Sequence, residues 1–242
     1  GLEIAARILG ISVSFQALLS LLLYLLKLSL TLGSLIGLYA FLLGLTLWGV
    51  FKRRSVRPDW TWLGAFVLFA IFLSWRLYQV KDLVLPAWVD SLHHVLIVRK
   101  MLEAGILPAD LTPYLPGPFY YHYAFHASAA NFAALSGLAP SQAVLIWGQV
   151  LNAGIGLSVY SLGKALFKDW KPALLAAFLV TFATKMPAYY LSWGRYTLLT
   201  GMLLLPLAAA AAVQWLQKDS HKNWAALILL TAGTLLAHYF TA

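Results

Sequence analysis

The sequence predicts an all-α, polytopic transmembrane helix bundle of about seven spans, with interfacial helices on its outer face. Three observations predict it. Hydrophobic residues fill 62% of the 242 positions and charged residues only 10%, against about 25% charged in a soluble domain. Apolar runs recur at Ile4–Leu26, Leu28–Val50, Trp60–Tyr78, Pro172–Ala183, Leu198–Leu216 and Trp224–Ala237. Most reach or approach the roughly 20 residues that a spanning helix needs. The period-two alternation of a membrane barrel is missing, and helices satisfy their own backbone polar groups in lipid.

The net charge of +9 does not point to nucleic acid. The basic residues lie in short clusters between apolar runs, where they orient a membrane protein. Cysteine is absent, which removes disulfide and thiol chemistry. The chain starts at Gly1 and ends at Ala242 within an apolar run, as expected of a piece of a longer polypeptide. The first apolar run is too long and too weakly flanked by charge for a signal peptide.

Three loops are basic: Lys52, Arg53, Arg54 and Arg57; Lys164, Lys168 and Lys171; Lys218 and Lys222. The positive-inside rule puts all three in the cytoplasm. That fixes the ambiguous stretch Phe119–Leu138. If it does not cross, ten Lys/Arg lie inside and six outside; if it crosses, seven lie inside and nine outside. It also carries His122, His126 and Asn131, poor choices for lipid contact. The expectation is therefore a helix lying in, or dipping into, the outer interface.

The spans then follow in order. Ile4–Leu26 runs outward, Leu28–Val50 inward and Trp60–Tyr78 outward. A large outer loop follows from Lys81 to Ala139. Pro140–Leu162 runs inward, and Pro172–Tyr190 outward from a proline suited to a first helical turn. Tyr196–Gln217 runs inward and Asn223–Ala242 outward. The whole chain, 1–242, reads as one transmembrane domain. Gly33 and Gly37 form a GxxxG spacing, and Gly148, Asn152, Gly156 and Tyr160 recur every four residues. Both patterns favour helix packing; the alternative is a groove facing substrate.

Polar residues able to do chemistry gather in the outer loops. A helix from Val89 to Ala104 is expected, with Asp90 in its first turn and Gly105 as C-cap. Asp90 and His94 are four apart and share a face. Such a carboxylate–imidazole pair can serve as a base; the plainer alternative is a stabilised helix start. Pro113–Pro118 is a rigid turn leading into Phe119–His126. His122 and His126 are again four apart. With Asp90, His93 or His94 they have the elements of a zinc site, but there is no HExxH and no cysteine, so no metal is expected. Interfacial anchoring and contact with a phosphate or sugar remain. The second outer loop, Lys185–Tyr196, sets two cations, Lys185 and Arg195, among aromatics that include Tyr196. Arginine can hold phosphate in a fork and aromatics can stack on sugars; an aromatic belt with a snorkelling arginine is the alternative. His238 lies near the outer end of the last span, where packing is its simplest role.

From Trp60 to Ala242 the chain resembles the GT-C superfamily of integral membrane glycosyltransferases, in a poorly characterised bacterial and archaeal branch. The resemblance rests on Asp90 with His94, the Pro/Gly/Tyr-rich entry from Tyr114 to His126, and Gly194-Arg195 before a later span. It implies a polyprenyl-phosphate-sugar donor and transfer on the non-cytoplasmic face of a prokaryotic cell membrane. Asp90 would then be the catalytic base. Arg195 would bind the leaving phosphate, assisted by Lys185 or a histidine among His94, His122, His126 and His238. No cofactor is implied, and the acceptor is open. There is no Asp-x-Asp motif, which argues against the metal-dependent oligosaccharyltransferase branch. Two other classes stay in view, a non-catalytic scaffold subunit and a transporter or flippase.

Overall fold

The computed structural model describes residues 1–52, 60–85, 88–218 and 220–241. Arg53, Arg54 and Arg57 of the first basic loop lie outside the described residues.

The chain begins with a helical hairpin. α1 (Leu2–Leu26) ends at Lys27, which adopts a left-handed conformation and returns its N–H to the last turn. α2 (Leu32–Lys52) starts at a reciprocal cap. The Ser34 N–H donates to Thr31 Oγ1 at 3.2 Å, and the Thr31 N–H donates to Ser34 Oγ at 2.8 Å, which satisfies donors the helix start would otherwise leave open. α3 (Thr61–Gln79) follows, then α4 (Val89–Ala104), closed by left-handed Gly105 as expected.

The outer loop is not wholly helical. Asp110–Leu111 (β1) and Leu115–Pro118 (β2) pair antiparallel, where a rigid turn was expected. α5 (Ala124–Ser136) has 13 residues, about 20 Å at the helical rise, short of the roughly 30 Å of a hydrocarbon core. It is buried against α1 and α4 and against α6 (Pro140–Phe167). Asn131 Nδ2 donates to Gln16 Oε1 on α1 at 3.0 Å, and Trp147 Nε1 on α6 donates to Ser128 Oγ at 2.8 Å. These bonds give the polar groups of α5 partners away from lipid.

α7 (Trp170–Phe178) is capped by Asp169, which accepts from the Lys171 N–H. It continues as one π turn, Leu179–Ala183. Two short helices, α8 (Lys185–Ala188) and α9 (Tyr190–Trp193), lead to α10 (Tyr196–Gln217) and α11 (His221–Ala237). Among the described residues five helices are long and apolar enough to cross a membrane: α1, α2, α3, α6 and α10. The stretch expected to span as Pro172–Tyr190 instead stops at Ala183 and bends. The stretch expected as Asn223–Ala242 ends as a helix at Ala237.

α6 is the axis of the bundle. It is buried along most of its length and packs on α1, α3, α7 and α10. Its small-residue stripe makes helix contacts and not a groove. The Tyr196 ring lies directly on Gly148, and a Cβ on Gly156 would stand 2.5 Å from Phe72 and 2.6 Å from Thr181 Oγ1. Phe72 cannot retreat easily, because Phe178 and Phe182 pack edge-on against it. Gly33 and Gly37 are different. A Cβ on Gly37 meets nothing within 4 Å and one on Gly33 only Thr31 Oγ1, so the GxxxG pair packs on no other helix among the described residues.

This contrast is testable. Gly156→Ala is expected to lower stability by about 1–3 kcal/mol, the usual effect of overpacking a filled interior. Gly37→Ala should change it by less than about 1 kcal/mol. Thermal unfolding of the two variants in the same detergent measures the difference.

Candidate functional site

The site is organised by a close contact between α4 and the α9–α10 junction. Gly194 closes α9 with φ of +63°, a conformation that costs glycine little. Ser91, in the first turn of α4, lies so near Gly194 that any Cβ there would collide with its hydroxyl. Trp88 packs edge-on to Trp193 with ring centres 5.8 Å apart. Conformation and proximity both demand glycine here, and together they seat the start of α4 beside the start of α10.

Asp90 and Arg195 are brought together by this seat. Arg195 Nε lies 3.8 Å from Asp90 Oδ2, and the side chains are 41% and 46% exposed. The separation is a charge contact beyond hydrogen-bond reach. The Arg195 guanidinium also lies 4.2 Å above the Trp193 ring, a favourable cation–π position. The pair is thus held near but not locked, and a third polar group can enter between its members. Asp90 and His93 border a cleft of about 390 Å³, walled on the other side by the β2 ribbon and Tyr121.

Beneath this pair is a dry layer. His94 and His126 are 1% and 0% exposed, with His94 Nδ1 2.8 Å from His126 Nε2. Burial drives the His94 pKa down to about 3; the Gly194 carbonyl opposes this and His93 adds to it. Burial, then the neighbouring His94, holds His126 well below its ordinary value. Both rings are therefore neutral at pH 7. Each ring also has a backbone carbonyl beside it, that of Gly194 for His94 and that of His122 for His126.

The expected Asp90–His94 pair is not formed. Four-residue spacing places both on one side of α4, but the wet rim holds Asp90 and the interior holds His94. Each finds a different partner. The expected His122–His126 face also fails, because α5 begins only at Ala124. His122 precedes the helix and packs against His238, with ring centres 4.6 Å apart, and against Tyr239 at 5.1 Å. His238 Nδ1 in turn accepts from the Phe240 N–H at 3.2 Å. Tyr196 is fully buried, stacked on Phe125 at 4.9 Å, and its ring is a packing element. Lys185 lies 5.0 Å over the Tyr189 ring and touches neither Asp90 nor Arg195. No three His, Cys, Asp or Glu side chains converge on a metal position among the described residues.

Sequence reasoning missed Tyr121. Its ring centre is 4.7 Å from His122, 5.8 Å from His126 and 6.3 Å from His94, so it spans both layers. Burial raises its pKa and a hydrogen bond with Thr197 opposes the rise; Asp90 and Arg195 are near enough to act on it too. It is a protonated hydroxyl beside the ion pair. Only its place in the aromatic run hinted at this, and Tyr120, its neighbour, points to solvent.

No family model, no curated protein and no solved structure matches the chain.

The histidine layer has a pH signature. The unfolded chain takes up a proton on His94 near pH 6.5, whereas the folded chain resists until about pH 3. Its contribution is whole above pH 6.5 and is lost as the pH falls through that window. The thermal unfolding midpoint should therefore drop on acidification, and His94→Phe should show a shallower dependence. Equal slopes in the two proteins would exclude His94 as a source.

Proposed function

We propose that the chain is a membrane glycosyltransferase that moves a sugar from a polyprenyl-phosphate donor to an acceptor hydroxyl on the non-cytoplasmic face. The observation that carries this reading is the loose Asp90–Arg195 pair at the rim of the cleft. Local helix geometry gives no reason to join residues 90 and 195. A carboxylate that lines the cleft and a guanidinium beside that carboxylate are the two groups that this transfer requires.

In the proposed step the acceptor oxygen attacks the anomeric carbon while Asp90 takes the hydroxyl proton. The bond from that carbon to the phosphate oxygen breaks, and the phosphate departs carrying its negative charge. Arg195 stabilises that charge as it develops, in a partly dry site where charge–charge interaction is strengthened. Tyr121 offers a neutral O–H donor beside the pair. His94 and His126 are too deeply buried to touch the sugar and instead support the wall that carries Asp90. The bundle is read as seven-spanning, with α7 to α9 and α11 completing the five long helices, in a prokaryotic cell membrane with the cleft outside.

A scaffold subunit would need no such pair, and Asp90 would then bond only within its own helix. A transporter would place its polar residues around a passage near the membrane midplane; here Asp90 and Arg195 stand at helix starts.

The test is consumption of a labelled polyprenyl-phosphate sugar by the protein in liposomes. Asp90→Asn is expected to reduce turnover by about 10²–10⁴-fold. Arg195→Ala should reduce it by about 10²–10³-fold. Both variants should keep the wild-type unfolding midpoint within about 1 kcal/mol, since exposed ion pairs contribute little. Full turnover by Asp90→Asn would overturn the mechanism.

A further inference from the structure

We propose a second anion site, for a phosphate group, in the pocket between the outer end of α3 and the α8–α9 segment. It goes beyond the glycosyl-transfer reading and does not depend on it. The argument starts from Arg76, in the last turn of α3, whose side chain is 0% exposed. Its Nη1 donates to Gln79 Oε1 at 3.1 Å, while Nε and Nη2 have no hydrogen-bond partner. No carboxylate lies within 4 Å of it among the described residues. A buried cation left this way is costly, and an ionisable residue inside a membrane bundle usually marks a binding function. It lacks a counter-ion, and the fold supplies none.

The pocket beside it can supply one. Gln79 lines a pocket of about 480 Å³ together with Lys185, Tyr189 and Ser192. With Gln79 Oε1 engaged by Arg76, its amide N–H groups are the part left to offer. Lys185 adds an ammonium that pairs with no acid and lies over Tyr189. The lining holds one cation, Lys185, and no acidic residue; Asp82, beside lining residue Leu83, is paired with Lys81. Arg76 works through Gln79 and through its field; it is a positioning residue and does not itself line the pocket.

The level of the pocket selects phosphate among anions. Trp75 stacks on Tyr78 at 6.2 Å, and Lys81 lies 5.0 Å over Tyr78. Aromatic and cationic residues grouped at a helix end mark the headgroup level of a bilayer. There the abundant anion is a phosphate ester. Free phosphate and a lipid headgroup present the same oxyanion chemistry to these donors.

The experiment titrates the full chain, in a sugar-based detergent free of phosphate, with inorganic phosphate and separately with short-chain phosphatidic acid. Calorimetry reads the affinity. Wild-type protein should bind at least one probe, and Lys185→Gln and Gln79→Leu should each weaken it by about tenfold or more, which is about 1.4 kcal/mol. Binding of both probes identifies phosphate itself as the ligand; binding of phosphatidic acid alone identifies a lipid headgroup. Arg76→Met should lose binding too, and the two pocket variants carry the test if it does not fold. Absence of binding by wild-type protein, or unchanged affinity in both Lys185→Gln and Gln79→Leu, overturns the proposal.

Discussion

The packing of Ser91 on Gly194 is the constraint from which the rest of the candidate site follows. It allows two chain segments to meet at van der Waals distance where any side chain would hold them apart. One turn of α4 is thereby fixed against the start of α10. Asp90 then has Arg195 as its only charged partner among the described residues, and His94 is driven under the same junction toward Gly194 and His126. The wet pair and the dry pair are two products of one contact.

Much of the fold was legible in the sequence, for a physical reason. Helices in a membrane are set by long apolar runs and by local end signals, and both are read within a few residues. The bounds of α4 and α10 are those expected from Asp90, Gly105 and Gly194-Arg195. Where tertiary packing overrides local pattern, the reading departs from the structure. Nothing near Leu179 announces a π turn, yet it ends the expected span at Ala183. Tyr123, at φ −125° and ψ 0°, stands outside helical geometry, so the regular spacing of His122 and His126 never becomes a shared face.

The candidate site was legible in part only. Four-residue spacing states that two residues share a side of a helix, and it cannot state that one is wet and the other dry. Asp90 with Arg195 is a long-range pair, and no local rule joins them; the resemblance to membrane glycosyltransferases singled both out by motif. Tyr121 was hidden because three tyrosines crowd positions 120 to 123, and only packing sets the ring of Tyr121 against His94 and His126. Arg76 was hidden by the apolar run around it, since a lone basic residue near a helix end reads as a side chain that reaches for water. In the structure it does the reverse.

α2 stands apart from this network. Among its described side chains only Leu35 is buried, and its 21 residues extend about 31 Å, close to the thickness of a hydrocarbon core. Among the described residues its side chains are otherwise exposed or only partly covered. In a thinner bilayer such a helix leans to hide its excess length, while the bundle around α6, cross-braced by many neighbours, keeps its shape. The hairpin turn at Lys27–Thr31 absorbs that difference. Leu30 donates its N–H to the Gly105 carbonyl at 2.5 Å, so the turn is attached to the far end of α4. The turn that carries α2 is thus tied to the C-terminal end of the helix that carries Asp90.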